Sequence, residues 1–350
     1  MGEFELIQRY FTRPTPRAVL GVGDDCALLQ MAAGMQLAVS SDMLVAGRHF
    51  FADTDPHRLG HKALAVNLSD LAACGARPLA FTLALALPVA NAAWLEPFAQ
   101  GLLALADAHA CELIGGDTTQ GPLNICITVF GEVPARPAHP APPAHAPADR
   151  PPPAPPTQAL LRSGARAGDD VYVSGTLGDA RLALEALQGR LELPDTVLHA
   201  ARLRLEQPTP RLALGLALRG VASAAADISD GLLGDLGHIL QRSSVGATLD
   251  TAIAINLLAT KAYSTRAIGQ FNNLLSAQTA LQCVLAGGDD YELIFTAPPA
   301  QRAMVQAASW ASHTPVTRIG QIDAAPGLRL VDGHGTPVAN TFTSFDHFKA

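Results

Sequence analysis

The sequence predicts a mixed α/β (α+β) protein built in two parts, and three observations support this prediction. Short apolar runs typical of strands alternate along the chain with segments of helical periodicity. The 350 residues, 49% of them hydrophobic, are enough for one large core or two medium ones. A proline-rich stretch at residues 134–157 divides the chain near its middle. We therefore expect one α/β part on each side of that stretch.

The first part carries three predicted strands and two predicted helices. Strand-like runs cover Met35–Ser40, Leu79–Leu87 and Asn124–Val133. The segment Pro56–Gly75 has leucines at positions 64, 68 and 71, the i, i+4, i+7 spacing of a helix with one buried face. Trp94–Ala110 shows a similar pattern, with apolar residues at positions 95, 98, 102 and 105. Between these segments the chain has room for short turns.

The stretch 134–157 contains 11 prolines and 7 alanines in 24 residues, a composition that cannot build a core. It predicts an extended polyproline-type or disordered insertion at a domain junction. Binding of an SH3-like partner is the other reading of such a composition. The domain prediction is accordingly residues 1–133, an insertion or linker at 134–157, and residues 158–350.

The second part continues the alternation of strands and helices. The predicted elements are a strand at Asp170–Ser174, a helix at Gly178–Gln188, a strand at Ala222–Ile228 and a helix at Gly231–Arg242. Apolar runs at 281–285 and 292–296 then flank an acidic turn, and a helix near Gln301–Trp310 follows. This order is typical of an α/β domain.

Composition and charge exclude several classes of protein. The net charge of −7 and the pI near 5.8, without any run of lysine or arginine, argue against a nucleic-acid partner. The N-terminus lacks the apolar core of a signal peptide, and no apolar run reaches membrane-spanning length. Five scattered cysteines without C-x-x-C spacing fit neither a disulfide framework nor a zinc site. We expect a cytoplasmic protein with no membrane partner.

Six short acidic clusters are the strongest chemical signal in the sequence. Each lies among glycines, serines or other small residues, and most follow or interrupt an apolar run. They are the segments 23–25, 40–42, 67–70, 115–118, 227–231 and 287–290. Carboxylates with close backbone approach suit hard cations such as Mg²⁺. Because an acidic pocket repels a phosphate ester unless metal ions intervene, the clusters predict metal-bridged phosphate chemistry.

The clusters differ in how readily a purely structural role explains them. We expect Asp25 and Asp42 on turns that bracket a strand, where Gly-Asp and Ser-Asp are also ordinary turn or cap residues. Asp70 lies inside a mostly apolar helix, where an aspartate is a poor helix former and costly to bury unpaired. Asp227 ends a buried strand, and Asp230 opens a helix, where it could simply be the N-cap.

The usual nucleotide and hydrolase signatures are missing from the sequence. It has no G-x-x-x-x-G-K-[ST], no G-x-G-x-x-G after a strand, no protein-kinase H-R-D or D-F-G set and no G-x-S-x-G elbow. Any nucleotide bound by this chain would therefore be held by metal ions and by the backbone.

The order of the clusters and the residues in them resemble those of the thiamine-monophosphate kinase family, which belongs to the aminoimidazole-ribonucleotide-synthetase-like ATP-binding superfamily. The resemblance runs over nearly the whole chain. Its most specific strings are GHKALAVNLSD at 60–70, GGDTT at 115–119 and DISDGL at 227–232. It implies two α/β domains, a homodimer joined through the N-terminal sheet, and ATP held near the dimer interface.

The resemblance also implies an activity and a set of site residues. The activity is transfer of the ATP γ-phosphoryl group to thiamine monophosphate, assisted by several Mg²⁺ ions, with no general base because the acceptor phosphate is itself a nucleophile. The implied metal ligands are Asp25, Ser40, Ser41, Asp42, Asp70, Asp117, Asp227 and Asp230. The implied ATP contacts are Gly116, Asp117, Arg162 and Ser229. The implied contacts to thiamine monophosphate are His49, Asp289 and Phe345.

Three features depart from the family pattern. Asp289 stands where glutamate is common, and Phe345 stands where tyrosine is common. The third departure is the proline-rich insertion, which falls just before Arg162. Arg162 itself could also be merely a solvated arginine.

Two other functions fit the clusters. One is an ATP-dependent synthetase or activating enzyme of the same superfamily with another acceptor. The other is a nucleotide-binding module without catalysis.

Overall fold

The computed structural model describes residues 2–136, 157–259 and 275–344, which form two sheets covered by helices. Phe345 and most of the proline-rich insertion lie outside the described residues. The N-terminal part begins with a short helix, α1 (Glu3–Leu6), and a π-helical turn at Ile7–Phe11. The prediction of a mixed α/β fold is confirmed.

The first sheet has four strands in the order β1-β4-β2-β3. Its strands are β1 (Met35–Val45), β2 (Arg77–Leu87), β3 (Glu112–Gln120) and β4 (Asn124–Pro134). β4 pairs antiparallel with both β1 and β2, while β2 and β3 run parallel. Two helices, α2 (Pro56–Ala73) and α3 (Ala92–Ala108), provide the crossovers and contact each other extensively. One face of the sheet is thereby buried.

α2 is the helix that positions most of the site. Asp55 caps it by accepting the N–H of Arg58 at 3.0 Å, and Pro56 occupies its first turn. Its leucines at 64, 68 and 71 are at most 1% exposed, as the periodicity predicts. A Cβ on Gly60 would lie 2.1 Å from the carbonyl oxygen of Phe98 in α3. The two helices therefore pack at backbone contact distance.

The second sheet has seven strands in the order β11-β10-β7-β9-β5-β8-β6. Its strands are β5 (Asp170–Ser174), β6 (Ala224–Ile228), β7 (Gly246–Asp250), β8 (Glu292–Ala297), β9 (Val316–Asp323), β10 (Gly327–Val331) and β11 (Pro337–Val338). The helices of this part are α4 (Asp179–Leu187), α5 (Asp195–Glu206), α6 (Leu212–Ala217), α7 (Leu232–Ser243), α8 (Thr251–Ala254), α9 (Ala277–Ala286) and α10 (Arg302–Ala311). The apolar run at 281–285 is thus the end of a helix.

The insertion leaves and rejoins the fold at one point. Ala135 and Thr157 form an antiparallel bridge, and Gln158 N–H donates to the Pro134 carbonyl at 3.0 Å. Leu160 N–H then donates to Cys74 O at the end of α2. The two parts of the chain are therefore joined where β4, an inner strand of the first sheet, and α2 both end. One apolar core continues across the junction, from α2 to Phe295 of β8.

One expectation about the acidic clusters is wrong. Asp42 lies inside β1, three residues before its end, and not on a turn. Gly116 and Asp117 likewise lie inside β3. Both strands extend through their clusters because β1 pairs with β4 over its full length and β3 pairs with β2 up to Gln120. Asp25, in contrast, does lie on a bend. Among the helices described, none is long and apolar enough to cross a membrane.

Candidate active site

A cavity of about 670 Å³ lies where the two parts of the chain meet. Its walls are β1 and the turn after it, the second half of α2, α4 and the residues that follow it, the turn after β6 and the loop between α9 and β8. Five predicted site aspartates line it: Asp42, Asp70, Asp227, Asp230 and Asp289. His49 and Ser229 line it as well. The fold thus collects in one cavity acidic residues that are up to 247 positions apart, between Asp42 and Asp289.

β1 and α2 hold the first pair of carboxylates. Ser40 Oγ donates to Asp70 Oδ2 at 2.5 Å, and the backbone N–H of Asp42 donates to Asn67 Oδ1 at 3.0 Å. Ser40 and Asp42 alternate with Ser41 along the strand, so both face the helix. Asp70 therefore lies on the face of α2 that meets β1, and not on a solvent-exposed helix face.

The turn after β6 holds the second pair. Ser69 Oγ of α2 donates to Asp227 Oδ2 at 2.9 Å, within the buried interface between the two parts. α7 begins at Leu232 with Gly231 as its N-cap, so Asp230 is not the capping residue. The turn itself is closed by Asp235, whose Oδ2 accepts the N–H groups of Ser229 and Asp230 at 3.0 and 3.1 Å. Asp235 thereby fixes the backbone of the turn that carries Ser229 and Asp230.

Burial and mutual repulsion raise the pKa values of these carboxyl groups. Burial, and then the charges of Asp70 and Asp230, raise the pKa of Asp42 to about 6. Burial and the charge of Asp230 raise the pKa of Asp235 to about 7. The pKa of Asp70 is raised by burial, against the opposing effects of the Ser40 hydroxyl and the Arg162 charge. Burial raises the pKa of Asp227 far above its usual range. A cavity with these properties favours cations.

These shifts predict a pH dependence of stability. A carboxyl group whose pKa is raised by folding stabilises the protein at low pH, and this contribution is lost as the pH rises through the folded-state pKa. For Asp42 and Asp235 the loss falls between the ordinary value of 3.8 and about 6 or 7. We expect the melting temperature of the metal-free protein to fall between about pH 4 and about pH 7, and to fall less in Asp235→Asn.

Calorimetry across this range, on the parent and on Asp235→Asn, measures the effect. The difference between the two proteins is the informative quantity, because other titrating groups cancel in it. Parallel curves for the two proteins would contradict the assignment for Asp235.

A second cavity, of about 740 Å³, lies on the other face of the first sheet. It is lined by the N-terminal helical segment, the acidic bend at 23–25 and β3, and it contains Asp25, Gly116 and Asp117. In the strand register Asp42 pairs with Ile127, and Ile127 pairs with Leu83, so Asp42 points to the same face of the sheet as these two core residues. Asp117 pairs instead with Ala84, the residue that follows Leu83 in β2. Because neighbouring residues in a strand face opposite ways, the two aspartates lie on opposite faces.

Ser41 lies on this second face of the sheet but does not line the second cavity. Its hydroxyl contacts Thr128 Oγ1 at 3.0 Å and donates to Ile127 O at 3.1 Å, on the sheet face opposite Ser40. The structure therefore brings together Ser40, Asp42, Asp70, Asp227, Ser229 and Asp230. It separates them from Asp25, Ser41, Gly116 and Asp117. Ser40 and Ser41 belong to one cluster in the sequence, but side chains alternate along a strand, so the two serines lie on opposite faces of the sheet.

Two of the predicted acceptor contacts, His49 and Asp289, line the first cavity. His49 Nδ1 accepts the N–H of Val45 at 2.9 Å, which fixes the imidazole at the end of β1. Asp289 Oδ1 accepts from Lys62 Nζ at 2.8 Å and from the Tyr291 hydroxyl at 3.2 Å. Arg162 is exposed, yet its charge lowers the pKa of Asp70, so it lies within electrostatic reach of the acidic group.

The donor set of the first cavity fits Mg²⁺ bound together with phosphates. Within the described ranges, no three His, Cys, Asp or Glu side chains are close enough together to hold an ion by themselves. Mg²⁺ commonly takes one or two carboxylates and completes its shell with water and substrate phosphate oxygens. Carboxylates that repel one another across a cavity, as Asp42, Asp70 and Asp227 do, are suited to that mode.

Family comparison agrees with this architecture. The N-terminal domain model of the AIR synthase related proteins matches residues 23–133, and the C-terminal domain model matches residues 166–333. The thiamine-monophosphate kinase of Salmonella typhimurium is 43% identical over 352 residues, covering 99% of this chain and 98% of the relative. The chain belongs to the thiamine-monophosphate kinases of the AIR synthase related family.

Other members of the family show the same agreement. The thiamine-monophosphate kinase of Haemophilus influenzae is 39% identical, over 100% of this chain and 98% of its own length. The crystal structure of the Stenotrophomonas maltophilia enzyme superposes with a TM-score of 0.76 at 42% identity, over 96% of each chain. AaThiL complexed with AMPPCP and TMP superposes with a TM-score of 0.70 at 27% identity, over 91% of this chain and 89% of that one.

Three residues of the site were not singled out in the sequence. Lys62 lies among the buried residues of α2, Asp235 lies in the first turn of α7, and Tyr291 follows the last acidic cluster. A lysine on the apolar side of a helix is costly to bury without a partner, so Lys62 carried a usable signal. Asp235 and Tyr291 carried none, because a first-turn aspartate and a tyrosine next to a strand are both common.

Proposed function

We propose that this chain transfers the γ-phosphoryl group of ATP to thiamine monophosphate, giving thiamine diphosphate and ADP, with Mg²⁺ as the metal. The observation that carries the proposal is the near full-length match to thiamine-monophosphate kinases at 43% identity. The relative complexed with AMPPCP and TMP adds that a chain of this fold holds an ATP analogue and TMP together. The acidic cavity supplies the local chemistry that such a pair of anions requires.

The reaction needs positioning and charge neutralisation more than proton transfer. The acceptor phosphate is a nucleophile near neutral pH, so no side chain has to remove a proton from it. Bound Mg²⁺ would neutralise the phosphate oxygens and hold donor and acceptor in line. Asp42, Asp70, Asp227 and Asp230, together with Ser40, would hold the metal, while Arg162 and Ser229 would contact the nucleotide. Asp25, Ser41 and Asp117 are proposed ligands, and Gly116 a proposed ATP contact, on the resemblance alone.

The acceptor would lie at the end of the cavity lined by His49 and Asp289. The thiazolium ring of thiamine carries a positive charge, which suits the Asp289 carboxylate. Phe345, the third proposed contact, lies outside the described residues.

A homodimer is part of the proposal. β1 is an edge strand, and its outward-facing residues Leu37, Val39 and Met43 are 49%, 55% and 53% exposed. A row of exposed aliphatic residues on a strand of this length is typical of a surface that pairs with another chain. We expect a solution mass of two chains, and Val39→Lys to reduce it to one. Equal masses for both proteins would contradict the assignment of this face.

A cytoplasmic location completes the proposal. The reaction consumes ATP, and all five cysteines are free thiols, as expected in a reducing compartment. No nucleic-acid or membrane partner is proposed for a chain with a net charge of −7.

An acceptor panel separates this function from the two others that fit the acidic clusters. ADP formation is measured with ATP and Mg²⁺, alone and with thiamine monophosphate, thiamine, or unrelated phosphate esters and carboxylates. We expect ADP formation with thiamine monophosphate only, matched mole for mole by thiamine diphosphate. Turnover with a different acceptor would indicate a synthetase or activating enzyme. Saturable ATP binding without ADP under every condition would indicate a binding module.

A further inference from the structure

Lys62 is a buried cation at the boundary between the two parts of the chain. It lies on α2, is 3% exposed, and its Nζ donates to Asp289 Oδ1 at 2.8 Å. Asp289 belongs to the loop between α9 and β8 in the second part, and its side chain is 33% exposed toward the cavity. A buried ammonium group is costly without a charged partner, and the Asp289 carboxylate is the partner that offsets the burial of Lys62.

The loop that carries Asp289 has an unusual backbone. Gly288, Asp289 and Tyr291 all have positive φ values, of 71°, 60° and 50°. Such conformations cost energy in residues other than glycine and are maintained only where the surroundings enforce them. Here Asp289 N–H donates to Ser229 O and Tyr291 N–H donates to Ile228 O, both at 2.8 Å. The backbone of the loop is therefore attached to the turn that carries Asp227 and Asp230.

The side chain of Asp289 is oriented from the other direction. Its Oδ1 accepts from Lys62 and from the Tyr291 hydroxyl, which leaves Oδ2 as the oxygen available to a ligand. Asp289 lines both the 670 Å³ cavity and a neighbouring cavity of about 90 Å³. The smaller cavity is also lined by Lys62, Phe50 and Phe51. A single carboxylate oxygen is thus presented where the acidic cavity adjoins an aromatic recess.

We propose that Lys62 is a positioning residue that determines acceptor specificity. It holds the Asp289 carboxylate in one orientation, toward the positively charged thiazolium ring of the acceptor. This role rests on the proposed function. Lys62 acts through Asp289 and does not itself contact the acceptor. It therefore contributes to acceptor binding, and not to ATP binding or to the transfer step.

The test is a double-mutant cycle in the full-length protein, read as separate KM and kcat values. We expect Lys62→Met and Asp289→Asn each to raise the KM for thiamine monophosphate about tenfold or more, with the KM for ATP and kcat changed less than about threefold. Because both variants remove the same interaction, Lys62→Met in the Asp289→Asn background should add less than about twofold. Lys62→Arg, which retains the charge, should recover most of the affinity.

Arg302→Met is the control. Arg302 likewise pairs with a buried aspartate, Asp170, at 2.6 Å, and neither of these two residues lines either cavity. We expect this variant to leave the KM for thiamine monophosphate unchanged. A structural role of Lys62 would instead alter both KM values, and direct contact with the acceptor would make the two substitutions additive; either result overturns the proposal.

The experiment distinguishes this inference from the proposed function. A parent protein without thiamine-monophosphate kinase activity would refute the function itself. An active parent whose KM is unaffected by Asp289→Asn would refute only the role of the pair, even if Lys62→Met failed to fold.

Discussion

Asp70→Asn is expected to lower kcat by about 100-fold or more while raising the melting temperature of the ligand-free protein. The catalytic loss follows because the amide cannot neutralise a metal ion that is shared with phosphate. The gain in stability follows because Asp70 repels Asp42 and Asp227 across the cavity, and the substitution removes that repulsion. A rise of roughly 2 °C would correspond to about 1 kcal/mol in a protein of this size.

Steady-state kinetics at saturating Mg²⁺ and calorimetry without ligands measure the two effects. Asp107→Asn is the matched control, because Asp107 is 63% exposed and pairs only with Arg13 at the surface. It should leave both quantities unchanged. If Asp70→Asn retained full turnover, Asp70 would not belong to the metal site. A lower melting temperature would show that repulsion at this position is not the dominant effect.

Glu292→Gln is expected to cost about 3 kcal/mol of unfolding free energy, the low end for breaking a buried ion pair. Glu292 is fully buried at the start of β8, where its carboxylate accepts from Arg204 at 2.7 Å, from Arg211 at 2.6 Å and from Ser174 Oγ at 2.5 Å. The substitution leaves two arginines without their shared partner. The loss falls at the low end because both arginines retain some contact with solvent.

Urea unfolding of the parent and the variant measures this difference. Glu185→Gln serves as the control, since Glu185 pairs with Arg181 and Arg190 near the surface, and such pairs are worth about 1 kcal/mol or less. Comparable losses in the two variants would contradict the importance assigned to burial at Glu292.

Local sequence patterns were sufficient to predict the secondary-structure elements named below and the acidic character of the site. The leucine spacing of α2, the strand before Asp227 and the helix after Asp230 all appear in the structure where periodicity predicts them. These features depend on interactions within a few residues. The acidic clusters were equally visible, because aspartates among small and apolar residues are costly wherever the chain buries them.

The arrangement of the clusters could not be predicted from local patterns. Asp42 and Asp117 looked equivalent, but the strand register of the first sheet turns them to opposite faces. Register is set by pairing between distant strands, which the sequence of one strand does not encode. The contact of Lys62 with Asp289, separated by 227 positions, likewise exists only once α2 and the loop before β8 meet.

The departure at Asp289 takes on a clearer meaning in the structure. An aspartate carboxylate is carried on a shorter side chain than that of glutamate, and here it is met by a long lysine side chain from α2. The pair therefore spans the boundary between the two parts of the chain despite the shorter acid. We expect Asp289→Glu to alter the KM for thiamine monophosphate more than kcat, because the change moves the oxygen presented to the acceptor.

The most direct test of the central claim follows the phosphate itself. Purified protein is incubated with Mg²⁺, thiamine monophosphate and ATP labelled at the γ-phosphate. The account predicts that the label appears in the terminal phosphate of thiamine diphosphate, one mole for each mole of ADP, and that Asp70→Asn transfers almost none. Labelled inorganic phosphate with unlabelled thiamine phosphates, from protein that binds both substrates, would contradict it.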